Sequence, residues 1–115
     1  MITQKKIIIP IFDYALTIII TDTWEEAKNK LPDQAIDLGN TRAVTFSNKS
    51  LGTSFVAVRA DCQSSIVHEA VHIKNNLWDY IGYSPQADND EVDAYLVTYI
   101  YEKIMGVYRK HHKTV

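Results

Sequence analysis

The apolar positions of this chain change period along its length, and each change marks an element. From Lys6 to Thr21 isoleucine and other β-branched residues dominate, with Asp13 and Tyr14 falling between Ile7–Phe12 and Ala15–Thr21. That pattern reads as two short strands or one strand bent at Pro10, with the well-formed part at Leu16–Thr21. Thr23 and Glu26 then make a capping box, and the acidic pair Glu25 and Glu26 suits a helix start. This helix runs through Ala27 and Leu31 and stops at Pro32; Pro32, Asp33, Gly39 and Asn40 mark residues 32–41 as a loop. Alternation of Phe55, Ala57 and Arg59 against Val56 and Val58 predicts a strand over Ser54–Ala60 covered on one face. Its antiparallel partner is Ala43–Ser47, joined through the turn residues Asn48–Gly52.

Beyond Asp61 and Ser64, either of which can cap a helix, the period becomes helical. Ile66, Ala70, Ile73 and Leu77 fall at i, i+4, i+7 and i+11, a core-facing stripe on a helix that reaches about Ile81. Gly82–Pro85 ends it and Gln86–Asn89 form a short polar loop. A last helix runs from about Asp90 to Lys110, acidic at its start and basic at its end, as the macrodipole favours. There is no internal repeat, low-complexity run or linker. The order predicts an α+β fold in one domain over residues 1–115: a small antiparallel or mixed sheet of three to four strands packed on three helices.

Composition bounds the function classes. With 46% hydrophobic and 23% charged residues the chain reads as soluble and globular. A formal charge of −2 gives no reason to expect a nucleic-acid or anionic-membrane partner, and the apolar runs fall short of the ~20 residues that a span requires. The single Cys62 excludes an intrachain disulfide, and no signal peptide is apparent, so the expected location is the cytoplasm. Cys62 is expected in the first turn of the following helix, Trp24 and Trp78 as packing anchors, and Tyr95, Tyr99, Tyr101 and Tyr108 as packing residues of the last helix. Tyr108–Lys113 reads as a frayed basic helix end.

The candidate chemistry sits off the apolar stripe. His68-Glu69-Ala70-Val71-His72 is H-E-x-x-H. Residues four apart on a helix lie about 40° apart around the axis and ~6 Å along it, so both imidazoles can reach one zinc ion. Glu69 then sits beside the metal, where it can take a proton from a water that the metal acidifies. A catalytic zinc usually takes three protein ligands. The start of the last helix offers Asp88, Asp90, Glu91 and Asp93. Of these we place the third ligand at Glu91, on the length of its side chain and because its helix face continues through Ala94, Tyr95 and Thr98.

HEAVH followed by Glu91-Val92-Asp93-Ala94-Tyr95 resembles the gluzincin pattern, and its E-x-x-A form is similar to that of minimal zincins such as the ImmA/IrrE and SprT-like families. The layout resembles small metallopeptidases encoded by phages and prophages. The resemblance implies a minimal zincin-like fold with H-E-x-x-H on the middle long helix, and a peptidase acting on protein or peptide substrates. It implies one zinc per chain held by His68, His72 and Glu91, with Glu69 as general base and acid. Gluzincins often carry an aspartate four residues after the ligand glutamate; here that position is Tyr95. An oxyanion would need a second electrophile, for which Tyr80, Tyr83, Tyr95 and Arg59 are candidates, and Ser54–Ala60 is expected to pair with extended substrate. The rival expectation is a non-catalytic zinc-containing binding or inhibitory module, with Asp88 or Asp90 closing a four-ligand site.

Overall fold

The isoleucine-rich start folds as a complete hairpin. In the computed structural model, which describes residues 1–113, β1 spans Ile2–Ile9 and β2 spans Tyr14–Thr21, paired antiparallel from Ile2↔Thr21 to Ile9↔Tyr14. β1 begins well before the apolar pattern does. Its polar stretch Thr3–Lys6 lies on the sheet edge, where backbone pairing alone makes the strand and the solvent-facing side chains stay hydrophilic. The turn between the strands holds two residues in the left-handed region, Ile11 (φ 72°) and Asp13 (φ 51°).

The Thr23 cap forms as expected, with Thr23 Oγ1 accepting the Glu26 N–H over 3.3 Å, and the Glu26 carboxylate accepts from the Thr23 hydroxyl at 3.1 Å. The helix behind it is shorter than expected: α1 is Trp24–Ala27, followed by a single 3-10 turn at Lys28–Lys30. Leu31, which precedes Pro32, is already extended.

β3 (Ala43–Asn48) and β4 (Thr53–Arg59) pair antiparallel, and β4 also runs parallel to β2. The result is a four-stranded mixed sheet in the order β1-β2-β4-β3. This corrects the expectation that β4 is covered on one face, because Val56, Ala57 and Val58 are all buried. Leu16, Ile18, Ile20, Val56 and Val58 pack toward the two long helices. Ile19 and Ala57 face the other way, against Ala27, Leu31 and the half-buried Trp24, Ile36 and Leu38. Each such fully buried Ile or Val contributes roughly 1.5–3 kcal/mol.

α2 spans Ser65–Ile81 and α3 spans Glu91–Lys113. They lie side by side on one face of the sheet, α2 over β4 and β3, α3 over β2 and β1. Ser64 precedes α2 without a side-chain cap bond, and Asp61 is engaged by Arg59 and the Cys62 thiol. Gly82 closes α2 in the left-handed conformation that glycine adopts at little cost. Gly52 (φ 63°), in the β3–β4 turn, lets the Tyr80 ring rest on it; a Cβ there would meet that ring at 2.5 Å. This contact seats the hairpin under α2 and sets β3 beside the motif.

The end of α3 is not frayed. His111 is fully buried, with Nδ1 2.8 Å from Thr3 Oγ1 and Nε2 2.8 Å from Asp22 Oδ1, and Tyr108 donates its hydroxyl to the Ala60 carbonyl at 2.5 Å. These polar cross-links add to the buried Ile104, Met105, Val107 and Tyr108 in holding the last turns, which is why the basic composition misleads. Among the described residues no helix is long and apolar enough to cross a membrane.

Candidate metal centre

The helical spacing of the motif brings the two imidazoles together. His68 Nε2 and His72 Nε2 lie 3.1 Å apart on the outer side of α2. Two ligand atoms each about 2.1 Å from a tetrahedral ion stand roughly 3.4 Å apart, so the pair is spaced to chelate one zinc. Glu69 occupies the border between the histidine line and the core stripe and is only 5% exposed. Its Oε1 accepts a hydrogen bond from Thr45 Oγ1 at 2.7 Å, while Oε2 stands 3.9 Å from His68 Nε2. One carboxylate oxygen is therefore anchored and the other stands near the His68 imidazole.

β3 forms the opposite wall. Strand alternation turns Val44 and Phe46 to the far side of the sheet, leaving Ala43 and Thr45 toward α2. The resulting cleft, of about 300 Å³, is lined by Ala43, Val44, Thr45, His68, Glu69, His72 and Asn76. Thr45 and Asn76 take part without having been assigned from sequence. Asn76 had a signal, one turn beyond His72 on the same helix face. Thr45 had only its place as a polar residue between Val44 and Phe46 in a strand.

Glu91 does not join this group. It is exposed at the first position of α3, and Asp93, two residues on, pairs with Lys74 Nζ (3.1 Å) and accepts from Trp78 Nε1 (2.6 Å). Lys74 sits about 160° around the α2 axis from His72, and Trp78 about 120°. α3 approaches α2 from the flank that faces β2 and β1, a different flank from that of the histidines. Asp88 and Asp90 are exposed in the preceding loop. Among the described residues no group of three or more His, Cys, Asp or Glu side chains is gathered to hold a metal.

No protein-family model matches this chain, nor does any curated protein or solved structure.

The remaining candidates are placed elsewhere. Tyr80 packs on Gly52 and Tyr14, Tyr83 on Trp78, and Arg59 bonds Asp61. Tyr95 is exposed on a different, apolar groove with Ile9, Pro10 and Phe12. Cys62 lies before α2 rather than in its first turn; burial pushes its thiol pKa up, and the thiol's hydrogen bond holds the Asp61 carboxyl below its usual range.

The expected substrate strand also changes. β4 is hydrogen-bonded on both sides, to β2 and to β3, so the free edge beside the motif belongs to β3. The Arg59 N–H donates to the Arg42 carbonyl at 3.0 Å, one step beyond Ala43↔Val58 in the register. Antiparallel pairs alternate between hydrogen-bonded and open, so Ala43, Thr45 and Ser47 turn their own N–H and C=O groups to the free edge.

Proposed function

We propose that this chain is a zinc-dependent metallopeptidase of minimal zincin type. The observation that carries the reading is the converged His68 and His72 Nε2 pair beside a buried, anchored Glu69. H-E-x-x-H on a helix under an edge strand supports the likeness to ImmA/IrrE-type and SprT-like zincins, and with it a phage-type cytoplasmic enzyme. His68 and His72 would hold the ion. A carboxylate from the start of α3 completes the site only if that turn moves toward it. When bound, zinc supplies a Lewis acid and lowers the pKa of water toward ~7.

The protein's own groups do the rest. Glu69 Oε2 faces the cleft, placed to take a proton from the attacking water and return it to the leaving amine. The outward N–H and C=O groups of Ala43, Thr45 and Ser47 receive an extended peptide as an added strand. Its scissile carbonyl then passes over the histidines.

A second reading, a zinc-containing binding or inhibitory module, is favoured by one feature: among the described residues the cleft lining includes no Tyr, Arg or third His to stabilise an oxyanion. One experiment separates them. Zinc content and peptide hydrolysis are measured on the parent and on Glu69→Gln. The peptidase reading expects one zinc per chain in both and hydrolysis in the parent alone, lowered at least about 100-fold in the variant. Equal cleavage by both overturns it, and zinc without hydrolysis in the parent supports the binding module.

A further inference from the structure

We infer that Thr45 is a positioning residue that couples strand docking on β3 to the orientation of Glu69. The inference rests on the peptidase reading for its purpose and on the Thr45–Glu69 contact for its geometry.

A terminal carboxylate torsion is broad, so a buried glutamate needs a donor to fix the plane of its two oxygens. Thr45 Oγ1 is that donor, and its 2.7 Å bond to Oε1 leaves Oε2 on the side of His68 Nε2, 3.9 Å away. Its neighbours on β3 do not substitute. Ala43 and Val44 carry no polar group, and the Ser47 hydroxyl bonds Ser54 at 2.7 Å.

Thr45 is also one of the three residues whose backbone groups face the open edge. A peptide that pairs there hydrogen-bonds the same residue whose hydroxyl holds the base. Docking therefore fixes the Thr45 backbone, and with it the hydroxyl and the Glu69 carboxylate. The ligand this device reads is an extended backbone, whatever its side chains.

The test uses Thr45→Val, which keeps the shape and removes the donor, and Thr45→Ser, which keeps the donor. The ¹³C resonance of the Glu69 carboxylate is followed in the metal-free full chain, alone and with a blocked hexapeptide of alternating Val and Thr. The resonance is expected to move in Thr45→Val and to return in Thr45→Ser. Peptide should shift it in the parent and in Thr45→Ser but not in Thr45→Val. With zinc, Thr45→Val should lose about tenfold in kcat at unchanged KM and unchanged zinc stoichiometry, and Thr45→Ser should recover it. An unmoved resonance in Thr45→Val, or a parent resonance indifferent to peptide, overturns the inference. Failure of the parent to hydrolyse peptides overturns the peptidase reading instead, and the resonance still decides the contact.

Discussion

Trp78 donates its indole N–H to Asp93 over 2.6 Å, and the same carboxylate pairs with the Lys74 ammonium at 3.1 Å, both groups being largely shielded from water. The start of α3 is thereby clamped to a different flank of α2 from the one that carries the histidines. Asp93→Ala leaves a half-buried ammonium and an indole N–H without their partner. We expect a loss of about 2–4 kcal/mol in urea unfolding, and a smaller loss for Asp93→Asn, which keeps an acceptor for the indole.

The same clamp makes the metal stoichiometry informative. His68→Ala and His72→Ala each remove half of the chelating pair and should abolish zinc binding in elemental analysis. Glu91→Ala should change zinc affinity less than tenfold, because Glu91 lies away from the nitrogens. A larger loss, within the 10–100-fold range or beyond, would show that the first turn of α3 swings across when zinc binds.

Acid should weaken the fold through the α3 tether. The bond from His111 holds the Asp22 carboxyl below its ordinary value of 3.8. A carboxyl depressed in the folded state adds stability above its unfolded pKa and loses it as pH falls through the folded one. Urea midpoints should therefore hold from pH 7 to about 5 and decline below about 4. Asp22→Asn should flatten part of that decline.

Cys62 should react slowly with disulfide reagents at pH 7. Burial is the main cause that raises its thiol pKa, with the Asp61 carboxylate adding to it, so little thiolate is present. Reaction in native buffer should be many times slower than in 6 M guanidinium.

Ile11 is 97% exposed and held at φ 72°, a conformation that β-branched residues avoid. Ile11→Gly removes that strain without sacrificing any burial. It should raise stability by about 1 kcal/mol, or a few degrees in Tm.

Much of the fold was legible because local rules and tertiary packing agreed there. The Thr23–Glu26 cap, the β3–β4 hairpin and the stripe Ile66–Leu77 all follow from spacing and turn chemistry. What escaped depended on partners distant in sequence. Thr3–Lys6 is a strand only because β2 pairs with it, β4 is central only because it runs parallel to β2, and the basic end of α3 is fastened by His111 reaching Thr3 and Asp22. In the site, His68, Glu69 and His72 were readable since a helix fixes their relation. Glu91 rested on the next helix approaching from the histidine side, and the choice of flank is made by sheet order and by Asp93. Thr45 came from a separate strand, which periodicity cannot bring to a helix.

The two edges of the sheet are protected unequally. β1 exposes Lys5 and Lys6 along its rim, and such charges repel an approaching strand, whereas β3 reads Ala-Val-Thr-Phe-Ser-Asn with neither charge nor proline. An uncharged β-prone border is also where like chains stick to one another. Keeping it receptive exposes the protein to self-association as its concentration rises, and the strip of backbone that would admit a peptide is the one through which crowded copies would begin to aggregate.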